Sequence, residues 1–573
     1  MSGIKPYIRP YVGYILLTIT IKTCGAILEL MIPDLMETML DVLVPAGDQP
    51  KIYLYGGLML LCALGCLAMN VIGNGMSAVS SGKITRALRH DLFQKLQSLS
   101  ARQMDNLTVS SAESRLTSDT YNVNQMLARC QRLGIRAPIL LVGGVFMMLR
   151  MDAPLACILI ALLPVISVVV YFVTKTSVPL YTQQQTILDK VIRTVQENIT
   201  GIRVIKALSK TDYEKERFHT VNETYTAIDR KAGIITAITN PAASLTLNLG
   251  LTIVVVAGAY RVNSGACPSG VIVAFLQYFT MLLNAMLGIT RIFVMASKGV
   301  ASAKRVSQIL AMPGDLTVLP PELAEEENPP HIEFRNVHFS YTGIGTNLEN
   351  LCFRLEHGQT LGILGPTGSG KSTIVNLLLR LYDPDQGCIR IDGQDIRTIP
   401  SGELRKKFGV VFQNDFVTEG TIADNLRFFR DVDDARLEMC AADAQADFIA
   451  EKEGNMAAPV MIRGNNLSGG QKQRLLIGRA LAADPEILIL DDASSALDYR
   501  TDANLRRALR QNYRNTTTVL VAQRVSSLRH ADLILVLDDG CVIGAGTHQE
   551  LLSTCAEYRH IAQTQMGDGK EGA

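Results

Sequence analysis

Thr360-Leu361-Gly362-Ile363-Leu364 runs into Gly365-Pro366-Thr367-Gly368-Ser369-Gly370-Lys371-Ser372 and then into Thr373-Ile374-Val375-Asn376-Leu377-Leu378-Leu379. The first run is short and continuously apolar, as a strand buried on both faces would be, and the last reads as a helix. The loop between them matches G-x-x-x-x-G-K-[ST], and strand–loop–helix is the context that motif requires. Glycines let backbone amides curl around phosphates, Lys371 reaches the terminal phosphates, and Ser372 is placed to ligate Mg2+. An α/β P-loop fold is expected here, with Gly365, Pro366, Thr367, Gly368, Ser369, Gly370, Lys371, Ser372 and Thr373 around the phosphates of ATP.

Two later stretches extend this reading. Leu467-Ser468-Gly469-Gly470-Gln471 leads into an apparent helix, and a Ser-Gly-Gly helix start offers N–H groups and a hydroxyl to an anion. Ile487-Leu488-Ile489-Leu490 is an apolar strand that ends in Asp491 and Asp492. With a phosphate loop, LSGGQ and this strand in that order, the chain resembles the ATP-binding-cassette (ABC) family. By that resemblance, Tyr341 is the aromatic on which adenine stacks and Gln413 is the loop glutamine that senses Mg2+. Asp491 closes the Walker B strand, and Ser495-Ala496-Leu497-Asp498 is the D-loop. Mg2+ is then expected at Ser372, Gln413 and Asp491. In family dimers each ATP lies between the phosphate loop of one chain and the LSGGQ of the other. Ser468, Gly470 and Gln471 are therefore expected to act in trans, and Asp498 of the D-loop is a further candidate catalytic residue.

The chain has 573 residues, is 48% hydrophobic and 19% charged, and carries a net charge of +1. The apolar excess is concentrated before about residue 300, in about six stretches long enough to span a bilayer. They run from Val12 to Leu40, Tyr53 to Ser80, Ile135 to Leu149, Pro154 to Thr174, Ala232 to Tyr260 and Val271 to Ala296. Several exceed what a bilayer needs and are expected to continue as cytoplasmic helices, with a kink at Asn240-Pro241. Basic residues crowd the segments between spans two and three (Lys83, Arg86, Arg89) and between spans four and five (Arg203, Lys206, Lys210). That bias places both segments, and both termini, in the cytoplasm. Lys22 and Glu29 share one face of the first span and Arg291 lies in the sixth. Such charges pair with one another or face a cavity. Pro313-Gly314, Pro320-Pro321, Glu325-Glu326-Glu327 and Pro329-Pro330 read as a linker. The expected division is a membrane domain over 1–312, a linker over 313–330 and a cassette over 331–573. The 11 cysteines are scattered without a CxxC pair and read as reduced.

Six spans followed by one cassette are similar to half-transporters of the ABC exporter type, which dimerise. In that family Ile199 to Ala207 would be a coupling helix that docks on the partner's ATPase. Two catalytic positions, and one smaller one, depart from the family pattern. Walker B usually ends Asp-Glu, whereas Asp492 is one methylene shorter, and a displacement near 1 Å costs about 10²-fold. The switch histidine is replaced by Gln523, which can hydrogen-bond a phosphate but neither carries imidazolium charge nor relays a proton. Ile462 stands where many exporters have a glutamate. The combination resembles the degenerate-site subunit of heterodimeric, multidrug-type exporters. It implies a transport ATPase in a bacterial plasma membrane, a different half-transporter as partner, lipid and an exported substrate as further contacts, and no nucleic acid. A homodimer with slow sites and an ATP-gated channel or regulatory membrane protein are the alternatives. Drugs, lipids and peptides all remain open as cargo.

Overall fold

The computed structural model describes residues 2–314, 316–320 and 328–566; Asp315, residues 321–327 of the expected linker and the Arg291 side chain lie outside the described residues. The chain divides into two units, Met1–Gln97 with Ser110–Met312, and Ser98–Val109 with Pro313–Ala573. Its long N-terminal helices are α1 (Val12–Thr38) and α2 (Gln49–Gln97). After the short α3 (Ala101–Leu107) come α4 (Thr120–Met151), α5 (Ala153–Thr200), α6 (Thr211–Ala237), α7 (Thr239–Asn263) and α8 (Ser269–Leu310).

The apolar stretches fall in α1, α2, α4, α5, α7 and α8, so the first unit is a helical transmembrane domain. Among the described residues, Lys5–Leu43, Gln49–Gln97, Val109–Met151 and Ser269–Met286 are long and apolar enough to cross a membrane, and Ala153–Leu162 is a shorter apolar helix. At 49 and 48 residues, α2 and α5 are about 70 Å long at the helical rise. That is more than twice a hydrocarbon core of about 30 Å. The fifth stretch is broken between Ala237 and Thr239. Pro241 has no N–H for the Ala237 carbonyl, so the interruption appears upstream of the Asn240-Pro241 pair.

In this unit α4 packs along α8 and α1 along α2. Leu30, Met148, Leu155, Phe275, Tyr278 and Phe279 are buried together, and the Tyr278 hydroxyl donates to the Leu30 carbonyl at 2.6 Å. Small residues permit the close approach: a Cβ at Gly299 would lie 2.4 Å from Met126 Cβ. Leu60, Leu61, Leu64, Leu67 and Val71 of α2 point outward, the arrangement a lipid solvent favours and water does not. Lys22 and Glu29 of the first span are each met by polar side chains from another helix. Lys22 is 3% exposed, and its Nζ donates to Asn70 Oδ1 and Asn74 Oδ1, each at 2.9 Å. Arg136 of α4 grips Glu29 with Nη2 2.6 Å from Oε1 and Nε 3.0 Å from Oε2.

The second unit is an α/β nucleotide-binding domain. β1 (Ile332–Phe339), β2 (Leu348–Leu355), β4 (Gln386–Ile391) and β5 (Gln394–Asp395) form an antiparallel sheet in the order β2-β1-β4-β5. A six-stranded sheet has the order β12-β11-β3-β10-β9-β6. Its strands are β3 (Thr360–Leu364), β6 (Phe408–Val411), β9 (Ile487–Asp491), β10 (Thr517–Val521), β11 (Leu533–Asp538) and β12 (Cys541–Gly546). Only β12 joins antiparallel. Alternate residues enter opposite cores, Leu488 and Leu490 on one face and Ile487 and Ile489 on the other. This is why the strand sequences show no polar alternation. A small pair, β7 (Gly420–Thr421) and β8 (Pro459–Val460), lies apart from both.

Ser98–Val109, which the sequence divides off with the membrane half, groups with the cassette unit. Ser100 and Gln103 cap α3 in a reciprocal box. Ala101 and Tyr341 pack against the same core, Arg102 Nη2 donates to the Ser340 carbonyl at 2.9 Å, and the Tyr382 hydroxyl donates to Asp105.

The Lys22 pairing predicts a graded response to substitution. Lys22→Ala strands the two asparagine acceptors and empties the space of the stem, and should cost about 1–3 kcal/mol. Lys22→Met keeps the stem and should cost less. Calorimetric thermal midpoints of the detergent-solubilised protein test this ordering.

Candidate functional site

The parallel register sets where the chemistry can occur. Ile363 of β3 lies opposite Val521 of β10, and Val521 lies opposite Asp491 of β9. The three strands therefore end at one level, and the loops that follow them carry Gly365–Ser372, Asp492 and Gln523. Together with Tyr341, Thr373 and Gln413, these loops line a cavity of about 290 Å³.

The phosphate loop turns into α9 (Lys371–Leu378) through Gly370, whose φ of 99° is left-handed. A side chain there would be strained and would also meet the Asn347 carbonyl at 2.9 Å. At Gly365 a Cβ would come within 2.3 Å of the Leu537 carbonyl. Lys371 Nζ donates to the carbonyls of Gly365 and Pro366 at 2.8 and 2.6 Å, so the ammonium is folded over its own loop. Ser372 Oγ donates to Asp491 Oδ2 at 2.9 Å. Ser369 Oγ is buried and has no hydrogen-bond partner among the described residues. Burial lowers the Lys371 pKa against the pull of Asp491 and Asp492. Burial raises that of Asp491, which the Ser372 hydrogen bond opposes. A loop with amides at a helix start, an ammonium, and a hydroxyl–carboxylate pair fits a polyphosphate with Mg2+.

Tyr341 stands at the edge of this cavity. Its hydroxyl accepts from Asn376 Nδ2 at 3.1 Å, and its ring meets those of Phe339 and Tyr382 edge-on at 4.8 and 5.0 Å. Tyr382 also holds Asp105, so the aromatic group beside the nucleotide site and the inserted helix α3 share one residue.

Asp492 adopts a left-handed φ of 51°, and its N–H donates to the Val521 carbonyl at 3.0 Å. Gln523 Nε2 donates to Asp492 Oδ2 at 3.3 Å, so the two departures from the family pattern bond to each other. Burial raises the Asp492 pKa, while Lys371 and Arg524 oppose the rise. The backbone around Gln523 is held by Gln565 of a C-terminal helix. Its Nε2 donates to the Gln523 carbonyl and its Oε1 accepts from Val525 N–H, both at 2.8 Å.

Ser468, Gly470, Gln471 and Asp498 lie outside the cavity. Ser468 caps α10 (Gly469–Leu481) in a reciprocal box. Ser468 Oγ accepts from Gln471 N–H at 3.2 Å, and Gln471 Oε1 accepts from Ser468 N–H at 3.0 Å. Of the amides the sequence offered to an anion, those of Ser468 and Gln471 are thus engaged, while the hydroxyl proton of Ser468 and the first-turn amides of the two glycines remain to donate. A Cβ at Gly470 would lie 3.0 Å from the Ala496 carbonyl. Gln473 braces the same loop: its Nε2 donates to Ser495 Oγ at 3.0 Å and its Oε1 accepts from Ala496 N–H at 2.9 Å. Asp498 caps α11 (Tyr499–Asn512) by accepting from Thr501 N–H at 3.2 Å, and the Thr501 side chain, followed by that N–H, lowers its pKa. Sequence reasoning missed Gln473 and Gln565. A glutamine in a polar helix looks like any solvated position.

Comparison with known proteins agrees with this geometry. Residues 15–286 match the ABC transporter transmembrane region and residues 348–495 match the ABC transporter cassette family. The uncharacterized ABC transporter ATP-binding protein YfiB of Bacillus subtilis is 32% identical over 100% of both chains. An uncharacterized ABC transporter ATP-binding protein of Mycobacterium tuberculosis is 30% identical over 99% of this chain and 98% of its own. A solved structure described as a bacterial Atm1-family ABC exporter with ATP bound is 25% identical, with a TM-score of 0.81 over 98% of this chain and 99% of the other.

Two measurements probe the cavity. Because the Asp491 pKa is raised, a proton competes with Mg2+ there at higher pH than at an ordinary aspartate. Mg2+-dependent nucleotide affinity should therefore weaken as pH falls from neutral, and Asp491→Asn should remove both the Mg2+ dependence and that pH slope. Fluorescent-nucleotide titrations with and without Mg2+ read both effects. Gln473 touches the Ser495–Ala496 loop and not the cavity, so Gln473→Ala should lower kcat of the assembled transporter while leaving nucleotide Kd unchanged.

Proposed function

The chain belongs to the ABC transporter family, and from that premise we propose that it is the degenerate-site subunit of a heterodimeric exporter, lending its LSGGQ to the competent site of a different partner chain. It is an integral membrane transport ATPase of the exporter type, and its cassette binds ATP with Mg2+. ABC exporters dimerise; the membrane domain is assigned to residues 1–312 apart from Ser98–Val109, the linker to 313–330 and the cassette to 331–573 together with Ser98–Val109. The bacterial relatives and the basic cytoplasmic loops support a plasma membrane location with both termini inside.

The observation that carries the heterodimer reading is the Gln523–Asp492 bond. The carboxylate in the position of the family's water-orienting glutamate is short and already accepts an amide proton. Its neighbour Gln523 is a neutral amide and cannot take up a proton and pass it on. Nucleotide-binding features are retained in Lys371, Ser372, Asp491, Gln413 and Tyr341. The signature is retained too, with its cap box and the close fit of Gly470 to the D-loop. Loss at one half-site with retention at the other suits two unlike sites. Exposed Ile199, Ile202, Val204 and Leu208 around the short helix Ile202–Ala207 support docking of this loop on a second chain. Bound Mg2+ would neutralise the phosphates, and the residues able to hold it are Ser372, Asp491 and Gln413.

The chain purified alone should show little ATPase. Asp492→Glu alone should restore little, because Gln523 remains and the left-handed backbone at this position suits aspartate better than glutamate. In the complex, Ser468→Ala removes a donor to the partner's terminal phosphate and should cost about 10²–10³ in kcat, well beyond the effect of Asp492→Ala. Robust turnover by the chain in isolation would favour a homodimer, and equal effects of the two substitutions would overturn the assignment of sites.

A further inference from the structure

At the end of β1 opposite Tyr341, three side chains from separate stretches meet. His331 immediately precedes β1, His357 lies in the turn between β2 and β3, and Asp392 lies in the turn between β4 and β5. The pairings Ile332–Leu355 and Ile332–Ile391 bring these segments together. The two imidazoles stack with centroids 3.8 Å apart and planes 13° from parallel. Asp392 Oδ1 is 3.0 Å from His357 Nε2 and 4.0 Å from His331 Nε2. One ligand atom from each of the three residues falls within 4.8 Å of the others.

Hydrogen bonding engages one ring nitrogen of His331 and leaves the other. Its Nδ1 is 2.6 Å from Thr517 Oγ1. That oxygen already accepts from Gly358 N–H at 3.0 Å and directs its single proton to the Glu356 carbonyl at 3.4 Å. With that proton on the Glu356 carbonyl, Nδ1 donates to Thr517 and Nε2 carries the lone pair a metal needs. His331 is 0% exposed, and among the described residues Nε2 has no hydrogen-bond partner. A buried lone pair left unmet is costly and calls for an explanation. Lys407 takes the other carboxylate oxygen, with Nζ 3.4 Å from Oδ2, so Oδ1 is the one that faces the imidazoles.

We propose that His331 Nε2, His357 Nε2 and Asp392 Oδ1 bind a divalent transition-metal ion of the Zn2+ class. Two imidazoles and one carboxylate suit such an ion and not Mg2+ or Ca2+, which separates this site from the nucleotide site. Thr517 presets His331 as an outer-shell partner does in metal sites. His357 is exposed and can turn its lone pair toward the ion, and water completes the coordination. Since Pro329-Pro330 lead directly into His331, the ion would fasten the start of the cassette to two turns of its sheet.

The test uses the full chain in detergent, with its affinity tag removed, thiols blocked with N-ethylmaleimide, metal stripped and no nucleotide present. Titration with Co2+ should give one bound ion per chain, with visible absorption bands of low-coordinate nitrogen–oxygen ligation. Zn2+ should displace it and excess Mg2+ should not. His357→Ala and Asp392→Asn, both at exposed side chains, should each weaken Co2+ binding at least about tenfold, no less than the loss of an outer-shell partner causes. No binding after thiol blockade, or unchanged affinity in both variants, would overturn the proposal and leave the cluster as a His357–Asp392 ion pair only.

Discussion

Three parallel strands must end at the same level for this cassette to hold a nucleotide. β3 delivers the phosphate loop, β9 delivers Asp491 and Asp492, and β10 delivers Gln523. A register slip of one residue would turn Asp491 to the other face of the sheet and break its bond to Ser372. The alternation of Ile487 and Ile489 into one core and Leu488 and Leu490 into the other makes that slip costly. The geometry of the site is thus secured by apolar packing on both faces of the sheet, several residues before the chemistry begins.

The same constraint explains what could be read from sequence. The phosphate loop is legible because its backbone excludes side chains at particular places. Gly370 is left-handed, and Gly365 and Gly370 are both crowded by carbonyl oxygens. The Walker B strand is legible because burial on both faces leaves it no polar residue until Asp491. The membrane helices are legible from apolar length. The helix interruption ahead of Asn240-Pro241 was offset because a missing proline N–H acts on the carbonyl four residues earlier. By contrast, Gln473 and Gln565 act through amide bonds to distant loops that no spacing reveals. The grouping of Ser98–Val109 with the cassette was hidden as well, since a capped helix between two long basic stretches reads locally as part of the membrane half. His331, His357 and Asp392 come together only through strand register.

The charges of the first span follow the same logic. Lys22 and Glu29 share a helix face, but two turns separate them by about 10 Å along the axis. They cannot satisfy each other directly. Each is met by polar groups from another helix, Asn70 and Asn74 for the lysine and Arg136 for the glutamate. A span that carries such charges is consequently tied to α2 and α4 by directional bonds that the surrounding leucines cannot supply.

The asymmetry proposed for the ATP sites also has a backbone component. Asp492 sits at a φ of 51°, a conformation that aspartate tolerates better than longer side chains do. Its carboxylate is drawn toward Gln523, whose carbonyl and the following Val525 N–H are in turn held by Gln565. The short acid, the neutral switch residue and the C-terminal brace form a single hydrogen-bonded set. Changing one member leaves the others holding the arrangement in place. The signature helix stands outside that set. Its cap is closed by Ser468 and Gln471 alone, and its Gln473 brace reaches the set only through the Ser495–Ala496 loop, where Ser495 Oγ donates to the Asp492 carbonyl at 2.9 Å. That link runs through the Asp492 carbonyl and not its carboxylate, so the side chains at 492 and 523 can depart from the hydrolytic pattern without breaking the bonds that hold the signature helix.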